Sequence, residues 1–133
     1  MQSRTGKTTI IKIVLPIYYH DGNKKIMIGL NEYERMNEFA RNKMKKWYYQ
    51  MVRARLPKKK IEGSYKAHFM IYYKNSQSDG PNIYSIADKL AIDGLQLYNT
   101  LKNDNVLHYL GGSWEVAGKD TDNPRVEIYI QGA

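Results

Sequence analysis

The segment Tyr-Lys-Ala-His-Phe-Met-Ile-Tyr-Tyr-Lys, residues 65–74, constrains the fold more than any other stretch of this chain. A run this rich in aromatic side chains fits the pleated surface of a sheet, so it predicts a β-strand. A polar loop, Asn75 to Gly80, follows it. Pro81 or Asn82 then opens a helix, because proline suits the first helical turn. Ile83, Ile86 or Ala87, Leu90, Gly94, Leu97 and Leu101 would form its apolar stripe, and Gly94 predicts an early stop. A strand that feeds a helix through a short polar loop already points to a layered α and β domain.

The flanking segments extend that pattern. Thr8 to Leu15 is a β-branched run that predicts a first strand ended by Pro16. Asp21-Gly22-Asn23 signals a turn, with Lys25 to Ile28 as a short return strand. Asn31 is the expected N-cap of a first helix, with Glu32 and Glu34 in its first turn. Tyr33, Met36, Ala40, Met44, Trp47, Met51 and Ala54 recur at spacings of three and four and predict one buried stripe, which Pro57 ends. Val106 to Leu110 and Ser113 to Val116 are short strand candidates around Gly111-Gly112, and Val126 to Ile130 is the last strand. The expected fold is α+β, in β-α-β-α-β-β order, with a small mixed sheet packed against two main helices. Residues 1–133 show no repeat or linker, so one domain is expected.

Charge and composition narrow the function. The chain carries 21 Lys and Arg against 13 Asp and Glu, a formal charge of +8. Basic domains of this size commonly meet phosphate backbones, since neutralised phosphates release counterions. The absence of cysteine excludes disulfides, Cys-based zinc sites and a thiol nucleophile. No apolar run approaches the ~20 residues of a membrane span, and Met1 to Thr9 lacks the apolar core of a signal peptide. A cytoplasmic protein with no membrane partner is therefore expected. Thr5-Gly6-Lys7-Thr8 lacks the earlier glycine and the strand-before-helix context of a phosphate-binding loop. His20, His68 and His108 are too scattered for a zinc site.

The residues left for chemistry are basic, aromatic and acidic. Arg41, Lys45 and Arg53 on the first helix, continued by Lys58-Lys59-Lys60, would track a phosphate backbone, with Tyr48 and Tyr49 beside them as base contacts. Magnesium prefers oxygen ligands and takes one or two carboxylates plus phosphate and water. Asp79 and Asp104, in the loops flanking the second helix, fit that need. On that helix Lys89 and Asp93 are four apart and share a face, and Asn82 lies two turns before Lys89. A plainer account makes these an N-cap, a turn residue and a surface ion pair.

The order of landmarks adds a family resemblance. Leu30-Asn31-Glu32-Tyr33 opens the basic helix, and the tyrosine-rich strand leads into Asp79-Gly80-Pro81-Asn82-Ile83. Lys89, Ala91 to Leu95, Leu101-Lys102-Asn103-Asp104-Asn105 and Asn123-Pro124-Arg125-Val126-Glu127-Ile128 follow. Over roughly residues 8–131 this series resembles the RusA-type Holliday-junction resolvases of phages and prophages.

The resemblance implies a homodimeric endonuclease of recombination and repair. It would bind four-way DNA junctions and cut them with Mg²⁺, or Mn²⁺, held by aspartates. It also implies Asp79 and Asp104 as metal ligands, Lys89 stabilising developing charge, and Asn82 orienting a carboxylate or phosphate. Pro81 stands where the family has its second aspartate, and its side chain cannot hold a metal. Glu32, Asp88 or Asp93 would have to compensate. Otherwise the protein binds junctions, or a host protein, without cutting. If the second helix ran unbroken, Asp79 and Asp104 could share a metal only across a dimer. A stop at Gly94 would let one protomer hold both.

Overall fold

The computed structural model describes residues 8–76, 78–103 and 105–132. Nine elements follow in order. β1 spans Ile10–Pro16, β2 Tyr18–Asp21, β3 Lys24–Met27, α1 Leu30–Arg35, α2 Glu38–Ala54, β4 Tyr65–Tyr73, α3 Gly80–Leu97, β5 Tyr109–Lys119 and β6 Arg125–Gly132. The α+β class and its mixed sheet are as expected. No helix among the described residues is long and apolar enough to cross a membrane.

Four strands form one sheet in the order β1-β6-β4-β5, and β2-β3 is a separate hairpin. β6 is antiparallel to both β1 and β4, whereas β5 runs parallel to β4. A parallel neighbour needs a crossover, and α3 supplies it. The period of two in β4 buries Tyr65, Ala67, Phe69 and Ile71 on one face. Ile11, Ile13 and Leu15 of β1 and Val126, Ile128 and Ile130 of β6 join them. α2 and α3 cover this face, and the opposite face carries no helix.

Local chemistry explains the element ends. Gly22 takes the positive φ of 63° at the first central position of the β2-β3 turn, where a side chain is disfavoured. The expected single first helix is two helices. Met36 and Asn37 are extended, with ψ of 146° and 171°, and Asn37 caps α2 by accepting from the Ala40 N–H at 2.8 Å. That break resets the helical phase, so α2 buries Met44, Tyr48 and Val52. Of the expected stripe, Trp47 and Met51 pack only at its margin, and Ala54 is exposed. Asn31 is not the cap, since α1 already includes it and Gly29 precedes the helix.

α3 corrects two expectations, one of them being Leu97 of its apolar stripe, which is exposed. The helix does not stop at Gly94, which is buried against α2. A Cβ there would sit 3.1 Å from Val52 Cγ2 and 3.3 Å from Tyr49 Cδ1. The glycine therefore permits close helix packing. The helix ends instead at a left-handed Asn99, φ 64°. The Thr100 N–H donates to the Leu95 carbonyl at 2.8 Å, and the Asn99 N–H to the Gln96 carbonyl at 3.0 Å. This pair of bonds is a Schellman stop. β5 is likewise one continuous strand from Tyr109, where two short strands around Gly111-Gly112 were expected.

Candidate functional site

The N-terminus of α3 is built from three segments of chain. Asp79 is extended, and its carboxylate accepts from the Asn82 N–H at 3.2 Å. This is the N-cap bond that a short acidic side chain makes to a helix's first free donors. Asn82 is buried. Its Oδ1 accepts from the Asn31 N–H at 2.7 Å, and its Nδ2 donates to Glu32 Oε1 at 2.8 Å. One amide thus holds the first turn of α1 against α3 and fixes a carboxylate beside the Asp79 cap. Gly29 makes this possible, because a Cβ there would collide with Asn82 Nδ2 and Glu32 Oε1. Sequence spacing did not single out Glu32, and a contact across fifty residues leaves no local periodic signal.

The other expected site residues are spread along the molecule. Lys89 is exposed on α3, about 10 Å along the axis from Asn82 at 1.5 Å per residue. Asp104 lies outside the described residues. Its chain neighbours sit at the far end of α3: the Tyr65 hydroxyl donates to the Lys102 carbonyl at 2.9 Å, and His108 Nδ1 lies 2.9 Å from Asn103 Oδ1. Eighteen unbroken residues make α3 about 27 Å long. The Asp79 end and the Tyr65 end of the domain are therefore distinct, and the described Asn103 lies at the Tyr65 end. Pro81 is exposed in the first turn of α3.

Among the described residues, no group of three acidic or histidine side chains converges to hold a metal. The donor set is Asp79 and Glu32, both bonded to Asn82. Two carboxylates fall within the one or two that Mg²⁺ takes when phosphate and water complete its shell. Asp88 is engaged elsewhere, accepting from the Tyr109 hydroxyl at 2.6 Å. Burial and the nearby Asp88 both push the Tyr109 phenol far above its ordinary range. Asp93 lines a cleft with Tyr49, Gln96 and Leu97, near the C-terminal end of α3.

The basic residues divide into two sets. Arg41 and Lys45 are half-buried at the margin of α2, with the Arg41 guanidinium 5.9 Å from the Tyr33 ring centre. Arg53 and Lys58 to Lys60 are exposed. The Lys58–Lys60 run leads into Ile61, whose N–H donates to the Thr100 carbonyl at 3.0 Å, so it lies at the Tyr65 end. Tyr48 is not a surface contact. It is 1% exposed in the core, its hydroxyl has no hydrogen-bond partner among the described residues, and burial pushes its phenol up. Tyr49 is half-buried against Gly94.

Three further features were not singled out from the sequence. Trp114 of β5 covers the start of α3, and a Cβ at Gly80 would lie 2.7 Å from its ring. A cleft of about 260 Å³ opens beside it, lined by Ile71, Tyr73, Ser78, Gly80, Ile83 and Val116 among others. On the helix-free face, the His68 ring bridges Ser113 Oγ and Glu115 Oε1, each at 2.7 Å. These groups lie on an open strand surface, where no wall would hold a substrate, and their role is to tie β4 to β5. No family model matches the chain, and no curated protein matches it.

Proposed function

We propose that this chain is a RusA-like protein that binds branched DNA. The observation that carries the proposal is the run Lys58-Lys59-Lys60, exposed together with Arg53 and Lys102 at the Tyr65 end. Among the described residues no carboxylate lies within ion-pair distance of any of them. Arg125, by contrast, is neutralised by Asp120 and Glu127, and Lys43 by Asp21. A duplex arm laid along α2 would meet Lys46 on the way to Arg53 at the Tyr65 end. It would span about eight base pairs at roughly 3.4 Å each.

The carboxylates at the Asp79 end support a second reading, in which the protein also cleaves. Mg²⁺ held by Asp79 and Glu32 would polarise a scissile phosphate and activate water. Asn82 would keep Glu32 oriented, and Lys89 would offset developing negative charge. In this reading α3 runs unbroken over eighteen residues and Asp104 joins the site from a second copy. A homodimer is part of this reading.

A labelled four-way junction and a linear duplex of equal length test both readings by anisotropy and by gel. Tighter binding of the junction, weakening steeply with salt, is expected. Equal affinity for the two DNAs would remove the junction reading. Tight binding with no nicking in Mg²⁺ or Mn²⁺ would remove the nuclease.

A further inference from the structure

Three tyrosine rings, two on the helix-free face of the sheet and one on the β2-β3 hairpin, carry cations over them, and the two on the sheet include acids. Lys12 Nζ lies 5.2 Å from the Tyr129 ring centre and 3.4 Å from Glu127 Oε1. The Arg125 guanidinium lies 3.9 Å from the Tyr72 ring centre and 2.7 Å from both Asp120 Oδ2 and Glu127 Oε2. The third placement breaks the pattern. Tyr18 of β2 has two lysines over its ring, Lys25 Nζ at 4.6 Å and Lys74 Nζ at 5.6 Å from the centre. Among the described residues, no carboxylate pairs with either.

Two ammonium groups on one ring repel each other, and Lys74 beside it holds Lys25 below the ordinary lysine range. Cation–π attraction of the order of 0.5–1 kcal/mol per exposed pair anchors each chain. It does not neutralise the second charge. Where Glu127 and Asp120 supply an anion at the first two placements, the third lacks one. His20 is the cross-strand partner of Lys25, and paired residues share one face of the hairpin, so a further donor lies alongside.

We propose that Tyr18, Lys25 and Lys74 form a cradle for one phosphate group of a nucleic-acid backbone. The location suits the DNA-binding reading, on which this assignment of the ligand rests. β3 runs on through Gly29 to Glu32, and Lys74 lies five residues before Asp79. The cradle therefore flanks the Asp79 end, opposite the Lys58–Lys60 run. Its phosphate would anchor a strand at the end of the domain that carries the carboxylates.

The test uses the full chain, a Lys25→Gln/Lys74→Gln variant, and a Lys12→Gln/Lys66→Gln control that removes equal charge elsewhere on the surface. Junction affinity is read by anisotropy across a salt series, and lysine NH₃⁺ signals are followed by NMR during titration with inorganic phosphate. The cradle variant should bind DNA about tenfold more weakly and lose about one unit of salt slope, as one phosphate contact predicts. The control should change far less, and phosphate should shift Lys25 and Lys74 before other lysines. If the cradle variant matches the wild type while the wild type binds DNA, the cradle is refuted and the DNA reading stands. If the wild type binds no DNA, the DNA reading fails and phosphate decides the cradle. Selective shifts at Lys25 and Lys74 keep it as a phosphate site, and their absence removes it. Capture of phosphatidylglycerol vesicles without DNA binding would overturn the nucleic-acid assignment.

Discussion

Replacing Asn82 with alanine separates a structural keystone from a group needed only for chemistry. The substitution strips the acceptor from the Asn31 N–H and the donor from Glu32 Oε1. Each partner is only part-buried, so stranding it costs about 1–2 kcal/mol, in the lower part of the range for a lost hydrogen-bond partner. Alanine returns roughly 0.6 kcal/mol of helix propensity. The net loss should be about 2–3 kcal/mol. At roughly 2.1 cal/mol/K per residue, 133 residues give an unfolding entropy near 0.3 kcal/mol/K, so Tm should fall by about 7–11 °C. Urea unfolding and calorimetry measure both quantities.

Two companion variants sharpen the test. Asn82→Asp keeps an acceptor for Asn31 but sets a second carboxylate against Glu32. It should therefore be less stable than Asn82→Ala at neutral pH and recover as acid protonates the pair. A double-mutant cycle with Glu32→Ala should show coupling of about 1–2 kcal/mol. A loss below about 0.5 kcal/mol for Asn82→Ala, with additive single mutants, would refute the keystone role.

Four other outcomes follow from the geometry. Tyr48→Phe removes a buried hydroxyl without a partner among the described residues and should stabilise the protein by about 0.5–1.5 kcal/mol, whereas a surface DNA contact would lower affinity and leave stability alone. Gly29→Ala should push Glu32 away from Asn82 and reproduce much of the Asn82→Ala loss; unchanged urea unfolding would contradict the close approach. Pro81→Asp adds a carboxylate at an exposed position in the first turn of α3, where acidic residues are favoured, so the fold should persist. The gain of Mg²⁺-dependent nicking of a junction is expected, and its absence would count against a cleavage site at this end. Acid should destabilise the sheet through Glu127. Burial alone would raise its carboxyl, but the Arg125 and Tyr129 hydrogen bonds outweigh that and hold it low. A lowered folded-state pKa adds stability above the unfolded carboxylate value near 4.5, and this is lost as pH falls through the folded value. Glu127→Gln should flatten that part of the stability profile, and an unchanged profile would rule the network out as its source.

Sequence by itself determined the layers and most of the element centres. Alternation in Tyr65–Tyr73, the β-branched run of β1 and the Asp79–Pro81 helix start are local signals, carried by neighbours within four residues, and the expected elements lie there. Two errors had the same local origin. The stripe begun at Tyr33 was carried across Met36 and Asn37, whose extended backbone resets the phase and turns Tyr48 into the core. Gly94 looked like a stop because propensity sees one residue, while the helix there is held by packing against Val52 and Tyr49.

Only the tertiary structure decided what meets what. It set Asn82 on Glu32, brought Lys25 and Lys74 over Tyr18, and put the two ends of α3 a helix length apart. Asn82–Glu32 and Lys74–Tyr18 join residues some fifty positions apart, Lys25–Tyr18 crosses a hairpin, and the α3 ends are separated by a whole element. Burial, close packing and sheet crossover fix them, and none of these leaves a periodic trace in the sequence.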